Sequence, residues 1–179
     1  MIALLLTSLL LFAAVEIPFI VYGAWLETAF GLGLTTLGVA SVVVGLAEAI
    51  GELGTTVLTD RLGKRRGVLT GLAGLTASLI LLPFASRLGL VPALAGVALM
   101  MLSFEFAFVS LLPLASELAP DARASLLAFN VTAASLGRMA AAAVGGWLWR
   151  WQSIALHAWS GAFCAVLAGL VLGIGVIEE

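Results

Sequence analysis

Six apolar runs, each long enough to cross a lipid bilayer, decide what this chain can become. They are Ile2–Tyr22, Leu34–Thr59, Val68–Ser86, Leu88–Ser116, Ala124–Trp149 and Ser153–Ile177. Their lengths, roughly 19 to 29 residues, bracket the about 20 helical residues that span a hydrocarbon core. Composition closes the soluble alternative. The 179 residues are 63% hydrophobic and 10% charged, and the mean hydropathy is +1.21. A water-soluble chain of that kind could not cover its own surface with polar groups. The runs are too long and unbroken for barrel strands, so the backbone must satisfy itself as helix.

The breaks carry the punctuation that helix ends need. They read Phe30-Gly31-Leu32-Gly33, Gly63-Lys64-Arg65-Arg66-Gly67, Arg87-Leu88-Gly89, Ala119-Pro120-Asp121-Ala122-Arg123 and Arg150-Trp151-Gln152. The start, Met1 to Ala14, has no basic segment and its apolar run continues through Tyr22. It therefore reads as a first spanning helix and not as a cleaved signal. The one cysteine, Cys164, excludes an internal disulfide and lies in an apolar run, where a small buried residue is expected.

Charge distribution sets the orientation. The dense basic cluster is Arg61, Lys64, Arg65 and Arg66, between the second and third runs. Lys and Arg collect on the cytoplasmic side of short loops. With that cluster inside, Arg123 is inside too, Arg87 and Arg150 are outside, and Arg138 lies within a run. Five basic residues against two favour six helices with both termini cytoplasmic. Trp25, Trp147, Trp149 and Trp151 then fall near the outer boundary, where amphipathic rings settle.

Charges within the runs are uneven. Runs three and six hold no acid or base, apart from His157 in the sixth. Runs one and four each carry one glutamate, Glu16 and Glu105. Run two carries Glu48 and Glu52, and run five carries Arg138. Ionised groups in hydrocarbon cost about 2.5–3.5 kcal/mol even on lenient scales, so each needs a cavity or a partner. Two sets of three helices, the first of each with a glutamate and the third apolar, fit a three-plus-three inverted repeat. The chain reads as one domain, residues 1–179, with repeats at about 1–86 and 87–179.

Three groups of residues are candidates for function. Glu48 and Glu52, four apart, stack on one helix face and with Arg138 could form a fixed ion-pair network. Asn130, Ala134 and Arg138 form a stripe on run five, beside a small-residue stripe of Gly137, Ala141 and Gly145 that invites close backbone approach. Glu16 and Glu105 are candidate proton carriers, because a carboxyl in low dielectric can be tuned for that task. The plain alternatives are that Glu16 is hydrated near the interface and that Glu105 pairs with Arg138. Phe104, Phe106 and Phe108 alternate around Glu105, so at least one is expected to meet lipid. His157 is expected to be a helix-packing polar group.

The stretch Asp60-Arg61-Leu62-Gly63-Lys64-Arg65-Arg66 resembles the signature loop between the second and third helices of a major facilitator superfamily half. Thr56 stands where the leading glycine of that pattern belongs, which suits the second, more degenerate copy. Gly45-Leu46-Ala47-Glu48-Ala49-Ile50-Gly51-Glu52 is similar to the eighth helix of the bacterial drug and arabinose-efflux branch. Ser116 to Arg123, Asn130, Gly137-Arg138 and Gly145-Gly146 are similar to its tenth-to-eleventh helix region. The chain thus resembles the C-terminal six-helix half of such a transporter.

The resemblance implies a protein of the bacterial cytoplasmic membrane that moves a small solute or drug by alternating access, as a proton-coupled antiporter. It also implies a partner, because the family encloses its substrate between two halves. A parallel homodimer or another six-helix half would supply it. A non-transporting scaffold, or a truncated half, is the alternative. In the family the loop aspartate approaches a helix N-terminus of the opposite half. Asp60 would then latch onto Pro120–Ala124 of a partner, with Arg61, Lys64 and Arg65 around it; pairing with Arg61 or Arg65 within its own loop, or capping the third run, is the alternative.

Enzyme chemistry finds no foothold. There is no paired Cys/His ligand spacing, no nucleophile elbow and no glycine-rich phosphate loop, so no metal or cofactor is expected. The basic cluster is too small for a nucleic-acid footprint and topology explains it. The orientation is directly testable. A cysteine at Lys64 should react with an impermeant reagent only from the cytoplasmic side, and one at Arg87 only from the other; reaction of both from one side contradicts six spans.

Overall fold

The computed structural model describes residues 1–118 and 122–175, without the side chains of 56–62 and 118. Seven α-helices make six membrane crossings. They are α1 (Ile2–Phe19), α2 (Tyr22–Phe30), α3 (Leu34–Leu62), α4 (Lys64–Arg87), α5 (Leu90–Leu118), α6 (Arg123–Leu148) and α7 (Ile154–Gly175). No strand occurs among the described residues. All six crossings are long and apolar enough for a bilayer, so this is an integral membrane protein.

The first crossing is longer than its apolar run suggests. It continues past Tyr22 as α2, and together α1 and α2 cover Ile2–Phe30. Pro18 lies just before the break at Ile20–Val21; it has no N–H, so the Ala14 carbonyl loses its helical partner. Gly31, in the left-handed conformation, then closes α2 with its N–H on the Glu27 carbonyl. Trp25 consequently points inward. It is 4% exposed and meets Phe30 edge-on, whereas Trp147 and Trp151 are each 54% exposed.

The basic loop is also different from its sequence appearance. Helix α3 runs through Leu62 and α4 begins at Lys64, so a single residue separates them. Gly63 holds φ of 85°, a value that costs other residues a Cβ clash. Of the basic residues that open α4, Arg66 is exposed while Lys64 and Arg65 are half-buried against the rest of the chain.

Packing follows one rule. Helix α1 packs on α6 and α7, α5 packs on α3 and α4, and α4 also packs on α7. Exchanging the first three crossings with the last three leaves this pairing unchanged, as a three-plus-three repeat requires. Glycines on the outer helices make the close contacts. A Cβ at Gly137 of α6 would lie 2.2 Å from the Leu9 carbonyl oxygen, and one at Gly161 of α7 2.3 Å from that of Ala14. On the other side, a Cβ at Gly71 of α4 would lie 2.5 Å from the Ala107 nitrogen, and one at Gly51 of α3 2.9 Å from the Leu102 oxygen. Such approaches bring Cα–H groups onto carbonyls and maximise dispersion contact, the main attractions available inside lipid.

The stripe Gly137, Ala141 and Gly145 is buried, and its partner is α1 of the same chain. Close backbone approach was expected of this stripe, with its partner left open. Helical periodicity puts these residues on one face but does not say which neighbour that face meets. The consequence is measurable. Gly137→Ala should lower stability by about 1–3 kcal/mol through overpacking, while Gly146→Ala, with open space around it, should be neutral or slightly stabilising. Thermal unfolding in detergent compares the two.

Candidate functional site

The polar residues of the spans meet where α1, α5 and α6 converge. Ser8, Phe12 and Glu16 are four apart on α1, and Asn130, Ala134 and Arg138 are four apart on α6. The two stripes face each other in register. Ser8 Oγ donates to Asn130 Oδ1, with both residues buried. Two turns along, Arg138 Nε lies 3.6 Å from Glu16 Oε2. Between these polar links sits Phe12. The Arg138 guanidinium lies over its ring, 5.0 Å from the centroid.

Helix α5 closes the aromatic floor. Phe12 meets Phe104 and Phe108 edge-on at 5.2 and 5.1 Å, and those two rings stack at 6.0 Å. Phe104 and Phe106 are buried and Phe108 is half-buried, so none of the three is left fully to lipid. Phe106 finds its cover inside the bundle because α5 is flanked by α3 and α4 as well as by α1 and α6. A pocket of about 170 Å³ opens beside this floor, lined by Phe12, Phe108, Leu112, Asn130, Ala134 and Arg138 among others. It offers an aromatic face, an amide and a guanidinium with 57% of its side-chain surface exposed.

Arg138 therefore pairs with Glu16, and not with Glu48, Glu52 or Glu105 as the sequence had suggested. The reason is topological: α6 packs on α1, and α3 lies on the far side of α5. Glu105 sits against α3, where a Cβ at Gly51 would come 2.9 Å from its own Cβ. Glu48, Glu52 and Arg138 all lie within electrostatic reach of Glu105. Among the described residues, Glu48, Glu52 and Glu105 have no cation within ion-pair distance. Glu48 and Glu105 are half-buried and Glu52 is exposed. The Glu48, Glu52 and Glu105 carboxylates thus gather between α3 and α5, with the Arg138 guanidinium in electrostatic reach of Glu105. Helices α3 and α6, which carry Glu48, Glu52 and Arg138, are the least buried of the six crossings.

The basic cluster is partly engaged within the chain. Lys64 pairs with Glu117 at the end of α5. Arg65 Nη2 donates to the Gly173 carbonyl at 2.7 Å, placing a cation at the C-terminus of α7. Arg66 is exposed, and Gly63 makes the turn. Lys64 and Arg65 therefore brace α4 against α5 and α7. The side chains of Asp60 and Arg61, and residues 119–121, lie outside the described residues.

Two features were missed or underweighted in the sequence. Ser8 is the partner that holds Asn130, and its signal was the four-residue spacing Ser8, Phe12, Glu16 within an otherwise apolar run. His157 is fully buried, with Nδ1 2.8 Å from the Ser153 carbonyl and Nε2 2.9 Å from that of Gly145, so it ties α7 to α6. Among the described residues no group of three His, Cys, Asp or Glu is placed to hold a metal ion.

Comparison with known proteins agrees with this arrangement. The sequence profile of the Major Facilitator Superfamily matches residues 4–177. The chain is 26% identical over 128 residues to an uncharacterized MFS-type transporter, YceJ, of Bacillus subtilis (strain 168). That alignment covers 72% of this chain and 32% of YceJ, so the chain spans about a third of the length of the relative it matches. No solved structure matches the chain. With the profile extending over nearly every residue of a six-crossing helical bundle, the chain belongs to the Major Facilitator Superfamily.

Proposed function

We infer that this chain is one wall of an alternating-access transporter: a half-size secondary carrier that exports a small solute or drug, coupled to protons, and works as a parallel homodimer. One observation carries the reading. The charged and amide groups of the spans sit on α3 and α6 or on the helices packed against them, and α3 and α6 are the crossings the chain itself covers least. Charged groups in the bilayer need a cavity or a partner, and this chain supplies half of one. A second copy in the same orientation would bring its own α3 and α6 against these and enclose the pocket beside Phe12.

In this reading Asn130 and the Arg138 guanidinium contact the solute, and the aromatic floor packs its apolar body. Glu105 carries the proton, since it lacks a bound cation and can be ionised or neutral as the cavity opens to either side. Glu16 holds Arg138 when the site is empty. Asp60 of one protomer latches onto the start of α6 in the other. The membrane is the bacterial cytoplasmic membrane, with both termini inside. The second reading, a non-transporting scaffold or a truncated C-terminal half, is favoured by the match to only about a third of YceJ.

Reconstitution separates the two. Cysteines at Ile50 on α3 and Met139 on α6, both exposed, should cross-link between copies. Proteoliposomes should accumulate a lipophilic dye when a pH gradient is imposed. Glu105→Gln should reduce gradient-driven accumulation at least tenfold and leave exchange at equal pH. A monodisperse monomer that shows neither cross-link nor flux refutes the transporter reading and leaves the scaffold.

A further inference from the structure

His157 is the one histidine of the chain, and the polar site beside Phe12 makes no use of it. Its ring is fully buried in the first turn of α7, at the end of the bundle away from the Lys64–Arg66 cluster. Nδ1 lies 2.8 Å from the Ser153 carbonyl oxygen and Nε2 2.9 Å from that of Gly145. Both oxygens can only accept. A neutral imidazole has one N–H to give and a lone pair on its other nitrogen. Whichever tautomer it takes, one contact sets that lone pair against a carbonyl oxygen at hydrogen-bond distance. An imidazolium donates to both.

What surrounds the ring can hold a charge. Gly145 lies in the last turn of α6, the negative end of that helix, and the positive end of α7 opposes it, so the two helix poles offset one another. The Trp149 ring stands 5.6 Å from the imidazole, a range at which an indole attracts a cation. Away from the Lys64–Arg66 end, the titratable and charged groups on the elements around α7 are few. They are Glu16, Tyr22 and Glu27 on α1 and α2, Arg87 on α4, and Arg138 and Arg150 on α6 and the turn after it, with Cys164 on α7 itself. Among the described residues no carboxylate lies within ion-pair distance of His157. Glu16 is already paired with Arg138, and Arg150 is drawn onto Trp147 at 4.8 Å and Trp151 at 5.4 Å. The two carbonyls and Trp149 are therefore what the ring has to work with.

The contact to Gly145 matters because α6 and α7 otherwise meet little. A groove of about 590 Å³ separates them, floored by Leu9, Ala13 and Ile17 of α1 and walled by Val144 of α6 and Trp159 and Phe163 of α7. His157 bridges the two helices at one end of this groove. Ser153, whose carbonyl takes the other bond, also lines a cavity of about 400 Å³ with Thr28, Arg87 and Gln152. That space is polar and large enough for water, which brings protons to the edge of the buried ring.

We propose that His157 is a proton-binding site that clasps α7 to the end of α6. As an imidazolium it holds both carbonyls, and charge-assisted bonds of this kind are roughly twice as strong as neutral ones. Release of the proton breaks one of them. Gly145 gives way first, because its carbonyl also accepts the Trp149 N–H and is not left orphaned, whereas the Ser153 contact lies within the start of α7. The helices then part along the groove. The clasp is independent of transport and of the carboxylates on α3 and α5.

Nitrogen magnetic resonance of the full chain, isotope-labelled at histidine and held in lipid nanodiscs, reads this ring alone. Both ring nitrogens should carry a proton at about pH 5 and one should lose it by about pH 9, either side of the ordinary histidine range. A neutral packing group, buried as this one is, would keep a single proton throughout. Spin labels at Ala143 of α6 and Val166 of α7, both exposed, report the helix separation once Cys164→Ser removes the native thiol. Their separation should be narrow at the lower pH and broaden in one step with loss of the ring proton. His157→Gln, neutral at every pH, should abolish that step, and Glu105→Gln should leave it. A ring with one protonated nitrogen at about pH 5 overturns the proposal. So does a separation that ignores the titration of the ring, or a step that survives in His157→Gln. The resonance measurement needs no substitution, so it decides even where a variant fails to fold.

Discussion

The contact of glycine Cα atoms with the backbone of α1 and α5 is the interaction on which the bundle depends. Inside lipid there is no hydrophobic drive to bring helices together, so association rests on close packing and short polar contacts. Helix α1 receives Gly137 and Gly145 from α6 and Gly161 and Gly175 from α7. Helix α5 receives Gly51 from α3 and Gly71 and Gly74 from α4. In each case the first helix of one repeat accepts the glycines of the second and third helices of the other. One contact joins two sequence features. Pro18 has no N–H to give to Ala14, four residues earlier, and it is the Ala14 carbonyl that Gly161 approaches.

This arrangement fixes where polar side chains can go. With α1 and α5 at the centre, their glutamates cannot reach lipid without passing a neighbouring helix. Glu16 turns toward α6 and finds Arg138, and Glu105 turns toward α3 and finds Glu48 and Glu52 within electrostatic reach. The pseudo-symmetry of the packing does not extend to the charges. One side of the bundle holds a matched ion pair, and the other holds carboxylates alone. A cavity between them would present a guanidinium at one wall and acids at the opposite one, around an aromatic floor.

Much of the fold was legible because its causes are local. Run length, the glycines of the breaks and the Lys/Arg cluster are each read from a few consecutive residues, and the six crossings follow. Ends of helices were less legible. Pro18 was not used to place a break at Ile20, and the basic residues 64–66 looked like loop although they extend α4. The candidate site was legible as faces and illegible as pairs. The four-residue spacing of Asn130, Ala134 and Arg138 gives one face, but the choice of Glu16 over Glu105 as partner depends on α6 packing on α1. That choice is made by Gly137 and Gly145 against Leu9 and Ile17, which no spacing within α6 announces. The same ignorance of neighbours led to the expectation that one of Phe104, Phe106 and Phe108 meets lipid, whereas Phe104 and Phe106 are buried and Phe108 is half-buried.

Arg138 is where packing and chemistry meet most closely. Its guanidinium has two claims on it, a single contact to Glu16 and the face of Phe12. Neither uses its full donor fork, and more than half of the side chain stays open to the pocket. An anionic or polar group entering the pocket can therefore engage the remaining donors without first breaking the pair. If the pair does break, Glu16 is left partly buried with no other cation within ion-pair distance among the described residues, which is costly inside a bilayer. The helices that carry these two groups are locked together by Gly137 two turns from the Ser8–Asn130 link, so the cost cannot be relieved by spreading α1 from α6.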